Sequence, residues 1–135
     1  MPSAFPAITQ AQPDDLPRLF EIWETSVRAS HTFLTEADIQ SLVPLVKAEL
    51  ADFHPIHCLR DEDGQAFAML GVAASSIEML FVHAGHHGRG AGRTLVEFAI
   101  RELRADRVDV NQQNTAAVGF YQHLGFHRTS ASPLD

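Results

Sequence analysis

Residues 86–100, HHGRGAGRTLVEFAI, set Gly88, Gly90 and Gly92 at alternate positions, place Arg89 and Arg93 among them, and run directly into an amphipathic stretch. A helix N-terminus leaves its first N–H groups unpartnered and carries roughly half a positive charge from aligned peptide dipoles, so it attracts anions. Glycines at that point remove the Cβ atoms that would hold a phosphate away, and they permit the positive φ angles of a concave loop. Flanking arginines add charge-assisted bonds to the same anion. The stretch reads as a cradle for a pyrophosphate. A Walker loop is excluded, because that pattern ends in G-K-[ST] and the only lysine of the chain is Lys47. The dinucleotide fingerprint G-x-G-x-x-G fails as well, since Arg93 stands where its last glycine belongs. A plain turn into a helix accounts for one or two glycines; three, with two arginines, favour an anion.

The elements that must position this loop follow from hydrophobic periodicity. PAITQA at 6–11 suggests a short edge strand. From Asp14, a candidate N-cap, the residues Leu16, Leu19, Phe20, Trp23 and Val27 recur at helical steps, with Pro17 in the first turn. SHTFL at 30–34 interrupts the pattern, and Thr35 is placed to cap a second helix through Ile39, Leu42, Val46 and Leu50, which Pro44 is expected to kink or split. HCLR at 57–60 and AFAMLGVAA at 66–74 read as a hairpin turning at Asp63-Gly64, followed by a strand IEMLFV at 77–82. After the glycines come a helix at about 92–103, a strand RVDV at 107–110, a helix at 115–124 ended by a left-handed Gly125, and a strand at FHRTS. The fold class expected is α+β, with helices around one mixed sheet.

Composition narrows the function classes. At 135 residues and 14.9 kDa the chain fits a single domain, residues 1–135. No apolar run approaches the roughly 20 residues needed to span a bilayer, and MPSAFPAITQ lacks the features of a signal peptide, so no membrane role and a cytoplasmic location are expected. Cys58, the one cysteine, cannot form an internal disulfide and reads as a core residue. A net charge of -7 argues against nucleic-acid partners and suits a cationic or neutral substrate. His83, His86 and His87 lack the convergent spacing of zinc ligands, so no metal is expected.

The stretch from Ile77 to Phe126 resembles the GCN5-related N-acetyltransferase superfamily. His87 to Gly92 is similar to the family's acetyl-CoA loop, [QR]-x-x-G-x-[GA]. VNQQNTAAVGFYQHLGF at 110–126 matches its second signature, N-x-x-A-x-x-F-Y-x-x-x-G-F, at Asn114, Ala117, Phe120, Tyr121, Gly125 and Phe126. WETSVRASHTFL, residues 23–34, looks like a small bacterial subgroup. Three departures stand out: His87 replaces the usual Gln or Arg, the turn HAGHHG lacks the family's common proline, and the chain stops at Asp135 where the family usually continues into a seventh strand. A bare sheet edge there would favour a homodimer.

The resemblance implies a central, mostly antiparallel sheet of six or seven strands flanked by four helices. It implies acetyl-CoA as co-substrate, held by the backbone of Leu80, Phe81 and Val82, by His87, Gly88, Arg89, Gly90, Ala91, Gly92 and Arg93, and by Asn114, Ala117 and Phe120. An amine acceptor, a small molecule or a peptide, would attack the acetyl carbon directly. Tyr121 would be the general acid toward the leaving thiolate, against a plain reading as core packing on an apolar helix face. Glu78 is the candidate base, against an outward strand carboxylate. His31 and Phe33 are candidates for the acceptor pocket, against a simple helix connector. The other class of function is a non-catalytic acyl-CoA sensor.

Overall fold

A computed structural model describes residues 8–30, 32–108 and 115–126 of the chain. The chain opens with β1 (Ile8–Gln10), a 3-10 turn (Pro13–Asp15), α1 (Leu16–Ser30) and α2 (Glu36–Asp52). It continues through β2 (Ile56–Arg60), β3 (Ala66–Ala73) and β4 (Ser76–Val82), a second 3-10 turn (Ala84–His86), α3 (Ala91–Glu102), β5 (Arg107–Val108) and α4 (Thr115–His123). Among the described residues the sheet has five strands in the order β1-β2-β3-β4-β5, antiparallel except for the parallel pair β4–β5. The expected closing strand, from residue 127 onward, lies outside the described residues, as do residues 109–114 of the expected RVDV strand and the loop after it.

Helices cover both faces of the sheet. On one face α1 and α2 bury Leu19, Ile22, Trp23, Val27, Ile39 and Leu50 against Cys58, Met69 and Met79. On the other, α3 brings Leu95, Val96 and Ala99 over Leu59, Leu70 and Ile77, and Tyr121 joins them from α4. The two apolar stripes read from the sequence in α1 and α3 are therefore the two walls of the core.

Local chemistry explains most boundaries. Thr35 Oγ1 accepts the Asp38 N–H at 3.1 Å while Asp38 Oδ2 accepts the Thr35 N–H at 2.9 Å, a reciprocal capping box that starts α2. The start of α1 differs from expectation. Pro13 opens a 3-10 turn, so Asp14 lies inside the turn and Asp15 does the capping, its carboxylate accepting the Gln12 N–H at 2.7 Å. The same carboxylate holds the Arg60 guanidinium through contacts of 3.0 and 2.8 Å, and that cation keeps Asp15 below the usual carboxylate range. Pro44 does not split α2, which runs unbroken from Glu36 to Asp52; the missing N–H removes one hydrogen bond, and packing of Ile39, Leu42, Val46 and Leu50 on the core retains the helix.

Candidate active site

The strand that leads into the glycine loop is irregular. Gly71 pairs with Met79 but Val72 pairs with Ile77, so Glu78 is the extra residue of a β-bulge in β4. The bulge shifts the phase of the strand. Met79 and Phe81 pack toward α1, whereas Ile77, which strict alternation would place with them, is buried on the α3 face with Leu80 and Val82. Glu78 itself is exposed at the bulge.

Main-chain directions along β4 follow from one bond. The His83 N–H donates to Phe67 O at 2.8 Å, toward β3. Backbone groups of successive residues alternate in direction, so Phe81 also faces β3, while Leu80 and Val82 direct theirs to the opposite edge. Among the described residues β5 pairs on that edge only with Ser76 and Ile77. Leu80 thus turns its N–H and C=O, and Val82 its N–H, to an edge where a ligand can add itself as a strand, whereas Val82 O is met by His87 and Phe81 turns its backbone to β3.

Three side chains brace the turn that follows. Thr25 Oγ1 of α1 accepts the Ala84 N–H at 3.2 Å, His83 Nδ1 accepts the Gly85 N–H at 3.0 Å, and His87 Nε2–H donates to Val82 O at 2.8 Å. The His87 ring is thereby committed to the end of β4 through one nitrogen, leaving Nδ1 for any other partner. His86 stacks on Phe67 with ring centroids 4.4 Å apart. Burial pushes the His83 imidazole below its usual range, with the nearby Arg18 charge acting in the same sense.

Beyond this brace the chain turns into α3 through two left-handed glycines, Gly88 at φ +81° and Gly90 at φ +79°, the latter being the N-cap. The helix begins at Ala91, one residue earlier than its periodicity suggested. None of the main-chain amides from Gly88 through Arg93 has a hydrogen-bond acceptor among the described residues. A Cβ at Gly88 or Gly90 would meet nothing within 4 Å, so glycine is demanded there by backbone conformation, and the space beside it is open. The Arg93 Nε donates to Glu97 Oε1 at 3.2 Å, whereas Arg89 is exposed and has no ion pair among the described residues. Arg89 lines a cleft of about 410 Å³ together with Phe67, His86 and Thr94.

The aromatic tail is built differently. Gly125, at φ +104°, ends α4 with the paired bonds of a Schellman motif, Gly125 N–H to Gln122 O at 3.1 Å and Phe126 N–H to Tyr121 O at 3.0 Å. The motif folds Phe126 back onto Tyr121, with ring centroids 5.8 Å apart, and Phe120 meets Tyr121 edge-on from the other side at 5.2 Å. Tyr121 is only 8% exposed, and burial pushes its phenol well above the usual range.

Phe33 is half-buried in the turn between α1 and α2, while His31 and Asn114 lie outside the described residues. Ala117 falls within α4, its side chain outside the description. Cys58 is fully buried, and its thiol is pushed up to about 11, consistent with a core residue. Sequence reasoning missed Thr25, which nothing in its helical spacing distinguishes from other polar positions of α1. It also missed the bulge, since IEMLFV reads as an uninterrupted strand.

Comparison with known proteins follows the same outline. A family model described as an acetyltransferase (GNAT) domain matches residues 48–134. The chain is 34% identical over 128 residues to a peptidyl-lysine N-acetyltransferase, YjaB, of Salmonella typhimurium, covering 95% of this chain and 88% of that one. The solution structure of apo-form YjaB from Escherichia coli superimposes with a TM-score of 0.86 at 32% identity, over 95% of this chain and 86% of that one. The PaiA N-acetyltransferase of Thermoplasma acidophilum, solved in complex with coenzyme A, shares the fold with a TM-score of 0.76 at 17% identity, over 93% and 91% of the two chains.

Proposed function

This chain belongs to the GNAT acetyltransferase family, and from that premise we propose that its acceptor is the ε-amine of a lysine in a peptide or protein. The enzyme moves an acetyl group from acetyl-CoA to an amine. The lysine reading is supported by the name of the relatives, peptidyl-lysine N-acetyltransferases, and by a net charge of -7 that favours approach of a cation.

The observation that carries the assignment of the site is the row of amides from Gly88 to Arg93, unpartnered among the described residues, at the positive end of α3. These donors, with Arg89, which has no ion pair among the described residues, fit a diphosphate, and the open space at Gly88 and Gly90 admits one. The backbone of Leu80 and the Val82 N–H, directed away from β3, fit the amides of a pantetheine arm. His87 acts here through the loop, by tying it to Val82 O. When bound, acetyl-CoA supplies a thioester that an amine can attack without a covalent enzyme intermediate.

Glu78, exposed at the bulge, takes the proton of the incoming ammonium, directly or through water. Tyr121 holds a proton on its phenol oxygen for the departing sulfur, and its burial disfavours the phenolate, so the proton is present at neutral pH.

The test is a CoA-release assay with lysine-containing peptides beside a panel of polyamines and other small amines. Turnover of the peptides, abolished when the lysine is blocked, is expected. Turnover confined to small amines would overturn the acceptor, and binding of acetyl-CoA without release of CoA from any amine would overturn the catalytic roles.

A further inference from the structure

The three alternating glycines are not physically equivalent. Gly88 and Gly90 are left-handed and face open space, whereas Gly92 is the second residue of α3, in a conformation that any residue adopts. A Cβ there would lie 3.4 Å from Phe120 Cζ and 3.9 Å from both Phe120 Cε atoms, so the Phe120 ring packs over Gly92 with room beneath it for a methyl group in contact but not for a branched side chain. Phe120 in turn bears edge-on against Tyr121, which Phe126 closes from the far side. Nothing at Gly92 calls for glycine on behalf of an anion: its amide would be offered equally by alanine or valine.

We propose that Gly92 is a positioning residue for Tyr121, setting the depth of the Phe120 ring on α3 and, through the Phe120–Tyr121–Phe126 stack, the place of the phenol oxygen. The glycine loop then has two jobs in one stretch. Its first two glycines shape the cradle, and its third docks the helix that carries the acid. This rests on the reading of Tyr121 as the acid, and the experiment separates the two.

Tyr121 is the only tyrosine of the chain, so a carbon-labelled tyrosine ring gives a single magnetic-resonance signal that reports its surroundings without assignment. Gly92→Val, Gly92→Ala and Tyr121→Phe are compared with the wild type for kcat, for acetyl-CoA affinity by calorimetry, and, where the tyrosine remains, for that signal. Valine, whose branches must displace the ring, is expected to lower kcat at least ~10-fold, to shift the signal, and to leave the dissociation constant within about three-fold. Alanine, one methyl group at contact distance, is expected to lose a smaller part of kcat. A valine variant whose affinity falls as far as its kcat, with the tyrosine signal unmoved, overturns the proposal in favour of a role at the phosphate alone. If that variant does not fold, Phe120→Leu removes the contact from the other side and is read by the same criteria. An unchanged kcat in Tyr121→Phe brings down the acid reading, whereas a loss there with none in Gly92→Val brings down the positioning role alone.

Discussion

The loop at 83–93 and the tail at 120–126, the two parts of the proposed site, are built by opposite means. The loop is exposed, shaped by two left-handed glycines, and offers main-chain amides, with Thr25, His83 and His87 bracing the turn ahead of it. The tail depends on packing: three rings in contact, a buried phenol, and one left-handed glycine that folds Phe126 into place. A backbone cradle tolerates exchange of side chains but not of dihedral angles. A packed acid tolerates neither loss of its hydroxyl nor displacement of its neighbours. The loop should therefore fail in affinity, and the tail in turnover.

That contrast can be broken at three points, and a fourth substitution lies outside it. The largest effect is expected from Tyr121→Phe, which keeps the ring contacts and removes the proton, lowering kcat ~100-fold or more while calorimetry finds acetyl-CoA affinity unchanged. Next comes Gly90→Val. A β-branched residue at φ +79° costs about 1–2 kcal/mol or more and must remodel the cradle, so the acetyl-CoA dissociation constant should rise on the order of 10-fold with kcat at saturation largely retained. A loss of kcat without loss of affinity in that variant would erase the distinction drawn here.

A smaller effect is expected from His87→Ala, which gives up the 2.8 Å bond to Val82 O. One net hydrogen bond corresponds to about 1 kcal/mol, so affinity should weaken ~5-fold, and glutamine, which can reach the same carbonyl, should restore most of it. The smallest concerns neither region. His57 is buried against Phe98, its Nδ1 has no partner among the described residues, and burial pulls its pKa below the usual 6.5. The neutral ring is thus the folded form: its contribution to stability is present above pH 6.5 and is lost as pH falls through that value toward the depressed folded pKa. Melting temperature should decline on acidification from pH 7 to 5, less steeply in His57→Leu, with affinity and kcat at neutral pH unaltered by the substitution.

The sequence carried the glycine turn into α3, the helix faces and the turn that ends α4 because each is written in local terms. Alternating glycines before an amphipathic run, apolar residues at helical steps in α1 and α3, the capping pair Thr35 and Asp38, and Gly125 after α4 all act within a few residues of themselves. The same locality explains the errors. Asp14 lost its capping place to the turn that Pro13 opens, and Pro44 was outweighed by packing against α1, which periodicity does not measure.

What only the tertiary structure decided is who meets whom. That Glu78 is the extra residue of a bulge, that Leu80 and Val82 rather than Phe81 turn their backbone away from β3, that Thr25 braces the loop from another layer, and that Phe120 packs over Gly92 are all consequences of strand register and helix docking. Register is set by partners far along the chain, and a shift of one residue reverses every direction in a strand, so no local pattern in IEMLFV or HHGRGAGR encodes it.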